Sequence, residues 1–237
     1  MNVAIPKTKA EQALTEAFAA AAPKLPGSAA VKSARANAIG EFGALGLPHR
    51  RIEEWKYTDL RVQLKDIGAT AVDDATAVSA DDLRAALGAL ADVDAHRIVF
   101  VNGSHRAQLS ALDGAKGLDV QPLAAALKSV PEKIADGLMR ATGPKSDATV
   151  ALNTAFVSDG AIVRIAGGAE LTKPLMIVFL SAGTTSRLTS VRNIISAGEG
   201  SIATVIEVHA SLKSAATGGQ VNALSEVRCP HADVRRR

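Results

Sequence analysis

Five histidines, one cysteine and a few closely spaced carboxylates are the residues of this 237-residue chain best suited to hold a metal or move a proton. His49, His96, His105, His209 and His231 form no H-x-x-x-H or similar pair, and only Cys229-Pro230-His231 sets two soft ligands two positions apart. Two ligands do not make a site, and the intervening proline constrains the backbone. His209 lies on an alternating segment and reads as an outward-facing, exposed or interfacial residue. Glu53 and Glu54 are consecutive, so they diverge on a helix or a strand and cannot share one substrate as acid and base. They read instead as salt-bridge partners of Arg50, Arg51 or Lys56. The same segment holds Trp55 and Tyr57, the only Trp and Tyr of the chain. Basic residues interleaved with rings can stack nucleic-acid bases. However, Glu53, Glu54 and Asp59 dilute Arg50, Arg51, Lys56, Arg61 and Lys65, which favours packing of the rings against neighbouring structure.

Two phosphate-binding patterns fail on context. Gly198-Glu199-Gly200-Ser201-Ile202-Ala203 satisfies G-x-G-x-x-G/A, but a dinucleotide fingerprint must open a helix and this one precedes a strand-like run, so it reads as a turn. Gly143-Pro144-Lys145-Ser146 places a proline where a Walker A loop needs its lysine, and so reads as an exposed loop. Neither G-x-S-x-G nor H-E-x-x-H occurs. The residues alone therefore nominate no catalytic, cofactor-binding or metal-ligating set.

The elements that would position any site change character along the chain. Ala10, Ala13, Leu14, Ala17, Phe18 and Ala21 share one face of a helical period, which Pro23 and Pro26-Gly27 interrupt. A second helix is expected after Ser28, with Val31, Ala38, Phe42 and Leu45 on one side and an end near Gly46-Leu47-Pro48. A third starts at Ser79, whose hydroxyl can cap the Asp82 amide ahead of the stripe Leu83, Ala86, Leu87 and Leu90. Residues 97–101 read as a buried strand closed by Asn102-Gly103. Short helices are expected over 122–127 and 131–140. Beyond residue 158 the runs 161–166, 174–180, 188–196, 201–210 and 221–227 are strand-like and separated by glycines. Their starting points are too close together for crossover helices between them. Two architectures fit: an antiparallel sandwich or meander, and a parallel β-helix in which each coil stacks on the last. Small residues and few rings lean towards the β-helix.

Composition bounds the rest. At 47% hydrophobic, 22% charged and 3% aromatic, the chain can bury a core built from aliphatic residues, as one large or two small domains. Its formal charge of +3 is matched by Arg235, Arg236 and Arg237, which makes it weak evidence for nucleic acid. A single cysteine excludes an intramolecular disulfide and suits a reducing compartment, so a cytoplasmic location is expected. The longest apolar run, 174–180, falls far short of the roughly 20 residues that span a bilayer, and no secretory signal or membrane association is expected.

Four blocks carry a resemblance. Leu47-Pro48-His49-Arg50-Arg51-Ile52-Glu53-Glu54-Trp55-Lys56-Tyr57-Thr58-Asp59-Leu60 resembles a characteristic segment of the SufD branch of the SufB/SufD family of iron–sulfur cluster assembly proteins. Arg97-Ile98-Val99-Phe100-Val101-Asn102-Gly103 with Leu109-Ser110, then Lys173-Pro174-Leu175-Met176-Ile177-Val178-Phe179-Leu180, and then Gly200-Ser201-Ile202-Ala203-Thr204-Val205-Ile206-Glu207 follow in the family's order. The Glu-Glu-Trp-Lys-Tyr-Thr block points to SufD rather than SufB, and the likeness covers roughly residues 7–227.

The resemblance implies an α+β chain with an N-terminal helical region over 1–95. An incomplete right-handed parallel β-helix over 96–227 follows, with helical insertions near 121–157. It implies a scaffold without catalysis of its own, pairing with a SufB-like subunit through the β-helix and working with the ATPase SufC to build and transfer Fe–S clusters. No cofactor is expected on this chain alone; the cluster belongs to the family complex. The family's SufC-binding helices and its cluster-assembly histidine lie in a later portion, so that role passes to neither His209 nor His231. Residues 228–237 change composition abruptly and are expected to be an aberrant polar tail of a truncated or frame-shifted SufD, or the native tail of a short paralogue. An incomplete β-helix leaves an uncapped coil, so self-association is expected. Two rival readings are a β-helix enzyme acting on polysaccharides and a nucleic-acid-binding module around Trp55. The first needs acids and aromatic platforms on successive coils, where only Phe179 is available beyond residue 158. The second needs more net positive charge than the chain has without its tail.

Overall fold

The computed structural model describes residues 6–72, 74–112, 114–129 and 147–229. The expected helix over 131–140, the loop 143–146, His231 and the terminal arginines lie outside the described residues.

Helix α1 (Lys9–Ala21) opens with a capping box. The Glu11 amide donates to Thr8 Oγ1 at 3.2 Å and the Thr8 amide to Glu11 Oε2 at 2.5 Å. The second carboxylate oxygen accepts the Leu47 amide at 2.7 Å, tying the start of α1 to the exit of α2 (Ala29–Leu45). Ser28 caps α2 as its position suggests, and Val31, Ala38 and Phe42 are buried. Leu45 is not: beside Gly46 at the helix end, it is 46% exposed, because Arg35 and Ala34 complete the buried face instead. A 3-10 turn (Glu53–Trp55), α3 (Leu60–Gln63) and β1 (Ala69–Thr70) lead to α4 (Ala80–Leu87). There the Asp82 amide donates to Ser79 Oγ at 3.0 Å, as expected from the sequence.

The remaining elements are β2 (His96–Val101), β3 (Ser104–His105), β4 (Leu118–Pro122), α5 (Leu123–Ser129), α6 (Ala148–Phe156), β5 (Ala161–Ile165), β6 (Leu175–Ser181), β7 (Arg187–Ala197), β8 (Val205–Ser211) and β9 (Gln220–Arg228). Asn102 and Gly103 take φ of 48° and 74°, the left-handed pair that closes a two-residue hairpin between β2 and β3.

One sheet runs β3-β2-β6-β8. In the other, β7 is flanked by β9 on one side and by β5 and β1 on the other, with β4 on the far edge of β5. Strands adjacent in sequence from β5 to β9 do not pair with one another. They alternate between the sheets, and every pairing among them is parallel. Ile162 faces Ile194 and Leu188 faces Gln220, the same advance along the chain each time, while Leu175 faces Val205 after a slightly shorter one. The isolated bridge Glu170–Ile202, between the sheets, repeats the step from Ile162 to Ile194. These registers exclude the antiparallel sandwich and meander, whose neighbours in sequence would pair. The antiparallel strands β3 and β4 lie at the edges on the β2 side.

Between the sheets lie Ile98, Phe100, Leu175, Ile177 and Phe179 from one side and Val163, Ile165, Val191 and Ile195 from the other. Outside the first sheet, Leu83 and Leu87 of α4 cover Val99, Val101, Met176, Val178 and Val208. Outside the second, Ile162 and Ile194 pack under Val31, Leu123, Leu127 and Val157. Central strands buried on both faces explain the near-continuous apolar runs at 97–101 and 174–180. Close stacking also needs glycine: a Cβ on Gly198 would lie 2.4 Å from the Gly167 amide nitrogen of the coil below. That is the physical role of the first glycine in the G-x-G-x-x-A pattern, which here forms a turn, not a nucleotide loop. Among the described residues, no helix is long and apolar enough to cross a membrane.

Candidate functional site

The site is the end of the stack formed by β8 and β9. Among the described residues, β8 is a terminal strand of its sheet and β9 pairs only with β7, so both present an unpaired backbone edge on the same side of the stack. Between them opens a cavity of about 410 Å³ lined by Asn102, Phe179, Thr189, His209, Val221 and Ala223, among others. Exposed backbone edges of seven and nine residues are templates for another strand. The chain is therefore expected to self-associate as its concentration rises; light scattering that found a monodisperse monomer at high concentration would contradict this.

His209 does not face outward as the alternation suggested. Registers place Phe100, Phe179 and His209 in one row across β2, β6 and β8, with ring centroids 5.2 Å apart at both steps. The imidazole therefore belongs to the inter-sheet side and is exposed because it occupies the last rung. Both faces of β8 carry apolar residues, Val205 on one and Ile206 and Val208 on the other, which is why alternation alone assigned the wrong side. His209 Nε2 lies 2.8 Å from Glu207 Oε1. Glu207 Oε2 accepts from Asn193 Nδ2 at 3.0 Å and from the Ser225 hydroxyl, both on the opposite sheet. The hydrogen bond from His209 holds the Glu207 carboxyl below its ordinary range against the opposing effect of burial, with Ser225, Asn193 and the imidazole charge adding to it.

The cavity wall is anchored by Asp74. Its carboxylate accepts from the Thr76 amide at 2.9 Å and Asn102 Nδ2 at 3.1 Å, and pairs with Arg187 Nη2 at 3.0 Å. Burial pushes this carboxyl up, but the hydrogen bonds from Thr76 and Asn102 and the Arg187 charge outweigh it, leaving it below the usual value. A lowered carboxyl stabilises the fold above the unfolded value of about 4, and that stability is lost as pH falls through the folded value. Asp74→Asn is thus expected to be less stable than the parent at pH 7 and to converge with it towards pH 2, measured by denaturant midpoints across that range.

Behind the second sheet, two arginines are buried where sequence suggested none: Arg35 at 1% and Arg192 at 0% exposure. Arg35 donates to the carbonyls of Ala155 and Pro26, both at 2.9 Å. Arg192 Nε donates to Asn153 Oδ1 at 2.9 Å and its Nη2 to Thr154 Oγ1 at 2.8 Å. Burial lowers both guanidinium pKa values to about 10, and in Arg35 the neighbouring Arg192 charge adds to it. Asn153 in turn donates to the carbonyls of Val191 and Asn222 at 2.9 and 2.8 Å. This network pins α6 across β7 and β9.

The 49–60 segment is exposed or half-buried throughout. Lys56 Nζ pairs with Glu53 at 2.6 Å, as expected, and also sits 5.3 Å from the Tyr57 ring centroid. The Tyr57 ring does not pack against neighbouring structure: it is 89% exposed, because it follows a 3-10 turn on the surface. No group of three or more His, Cys, Asp or Glu side chains suited to a metal occurs among the described residues. Cys229, the last described residue, is a partly buried free thiol.

Comparison with known proteins gives two results. The family model described as the SufBD protein N-terminal region matches residues 8–177. A protein of Synechocystis sp. named as an iron–sulfur cluster assembly SufBD family protein is 34% identical over 151 residues, which is 62% of this chain and 32% of that protein. The chain therefore spans about a third of the length of the curated relative it matches.

Proposed function

Because this chain belongs to the SufBD family, we propose that it serves as a SufD-type scaffold subunit in iron–sulfur cluster assembly. The observation that carries the reading is the family match across residues 8–177, from the first helix into β6. Assignment to SufD rather than SufB is supported by the Glu53-Glu54-Trp55-Lys56-Tyr57-Thr58 block. Parallel registers that advance by a nearly constant stretch of chain at each rung support a right-handed parallel β-helix as the architecture.

In this reading the chain contributes surface and stiffness, not a reacting group. A SufB-like subunit docks on the β-helix, where the open edges of β8 and β9 supply main-chain donors and acceptors. A SufC-like ATPase supplies the hydrolysis that rearranges the complex, and the cluster is the product of the assembly rather than a resident of this chain. The single cysteine suits a reducing, cytoplasmic setting.

Co-expression of the tagged chain with SufB-like and SufC-like subunits tests this. The SufB-like subunit is expected to be retained, and Val221→Lys with Val227→Lys, two exposed positions on β9, is expected to cut retention about tenfold by adding charge to the docking edge. No retention by the parent chain, with its fold verified by circular dichroism, would overturn the proposal.

A further inference from the structure

We propose that residues 48–60 form an Ω-shaped loop that opens from the body as one unit, and that the Glu11 carboxylate is the latch that sets how often it opens. Hydrogen bonding separates the loop from its surroundings. The amides of Ile52, Trp55, Lys56 and Thr58 donate to the carbonyls of His49, Ile52, Glu53 and Trp55, three residues back each time. Lys56 pairs with Glu53, the Arg51 amide donates to His49 Nδ1, and Asp59 accepts from the amides of Arg61 and Val62. Among the described residues, every hydrogen bond made by 49–59 stays within 48–63. None of 49–59 is buried, and the Ile52 and Tyr57 side chains stand exposed. A surface segment that satisfies itself and buries little opens at lower cost than the sheets beneath it.

The ends of the loop, by contrast, meet and are held. The Leu60 amide donates to the Pro48 carbonyl at 3.0 Å. Glu11 grips both sides of that junction. Its Oε1 accepts the Leu47 amide at 2.7 Å, and its Oε2 lies 3.4 Å from Arg61 Nη2, which also donates to the Pro6 carbonyl at 2.5 Å. The same Oε2 takes the Thr8 amide of the capping box. Glu11 is 3% exposed, so little water is at hand to replace a lost contact. Gly46 leaves the space this needs: a Cβ there would stand 2.7 Å from Glu11 Oε1. One buried carboxylate thus joins the start of α1 to the entry and the exit of the loop. Whatever pulls on the loop is felt at the first turn of α1, and loosening that turn favours the open loop by the same amount.

Amide hydrogen exchange of the full chain, read residue by residue, tests this. Corrected for intrinsic rates, the Ile52, Trp55, Thr58 and Leu60 amides are expected to share one protection, well below that of Ile177 and Phe179 in β6. Glu11→Gln is expected to speed exchange of those four amides about tenfold, and Arg61→Gln, which cuts one arm of the latch, about threefold. Leu83→Ala is the contrast. It removes a buried side chain from the far side of the first sheet and lowers whole-chain stability, yet it is expected to leave the four loop amides within about twofold of the parent. Loop amides that respond to Leu83→Ala as strongly as β6 does would show that they open only with the whole protein, and would overturn the proposal. So would four unequal protections, or loop exchange indifferent to both Glu11→Gln and Arg61→Gln. None of these results bears on the assembly reading, which co-purification decides.

Discussion

Gly160→Ala is expected to lower the melting temperature by ten degrees or more, or to prevent folding. Gly160 lies between the Asp159–Val191 bridge and the start of β5, with φ at +147°, where a side chain is strained. An added Cβ would meet the Arg192 carbonyl oxygen at 1.9 Å and its carbon at 2.6 Å. Those atoms are backbone of the next rung, paired on both sides, so relief requires β5 and β7 to part by more than an ångström. Strain at such a position costs about 1–3 kcal/mol, and the clash takes the total beyond ~4 kcal/mol, a large share of the ~5–15 kcal/mol that holds a typical protein folded. At roughly 2–4 °C per kcal/mol for a chain of this size, thermal denaturation reads this directly. Gly168→Ala is the control. Gly168 also has positive φ, at +66°, but nothing lies within 4 Å of its Cβ, so a loss of only about 1–2 kcal/mol is expected.

Asp159→Ala is the second large effect. This carboxylate is 4% exposed and accepts from three backbone amides, one in α5, one in β3 and one in the adjacent Gly160. Its Oδ1 accepts from the Ala124 amide of α5 at 2.8 Å and from the Gly160 amide at 2.9 Å, and its Oδ2 from the His105 amide of β3 at 3.1 Å. Alanine leaves three donors without their acceptor, and a loss of about 3–5 kcal/mol is expected in chemical denaturation. Asp159→Asn keeps the shape with one acceptor oxygen, and about half that loss is expected. The pH dependence has the opposite sign to that of Asp74. Burial pushes the Asp159 carboxyl up, and the hydrogen bonds from Ala124, Gly160 and His105 only partly oppose it. The folded state therefore holds the proton more tightly than the unfolded chain, and that contribution is lost as pH rises through the folded value. The deficit of Asp159→Asn is expected to be larger at pH 4 than at pH 7.

These two positions show what sequence reveals and what it hides. The Ser79 cap, the Asn102-Gly103 turn and the strands near 97–101, 161–165 and 175–181 are local signals, and each stands within a few residues of its expected place. Pairing partners are not local. The two architectures compatible with strand spacing differ in which strand lies beside which, and the parallel registers exclude the antiparallel one. Helix α6 carries no stripe because Ala151 to Phe156 are buried on every side, so periodicity has nothing to report. Arg35 and Arg192 read as surface charges, yet their burial depends on carbonyls and side chains contributed by Pro26 and by 153–155, which no spacing rule joins. Glu207 and His209 were visible as residue types, but the face they occupy depends on the rung beneath them. Family resemblance supplied the stacked architecture as an expectation, not the polar end of the rows.

The register arithmetic also sets an order of events during synthesis. Every strand from β7 onward pairs in parallel with the strand two places before it, so each finds a finished template as it leaves the ribosome and growth can proceed in one direction. The lowest rung is different. His96 must wait for Leu175, which emerges only after α5, α6 and β5, before β2 gains its parallel neighbour. Until then the short β3 hairpin is its one strand partner of more than a single bridge among the described residues, and a nascent chain stalled between those points, with the other edge of β2 open, is the species a chaperone would meet.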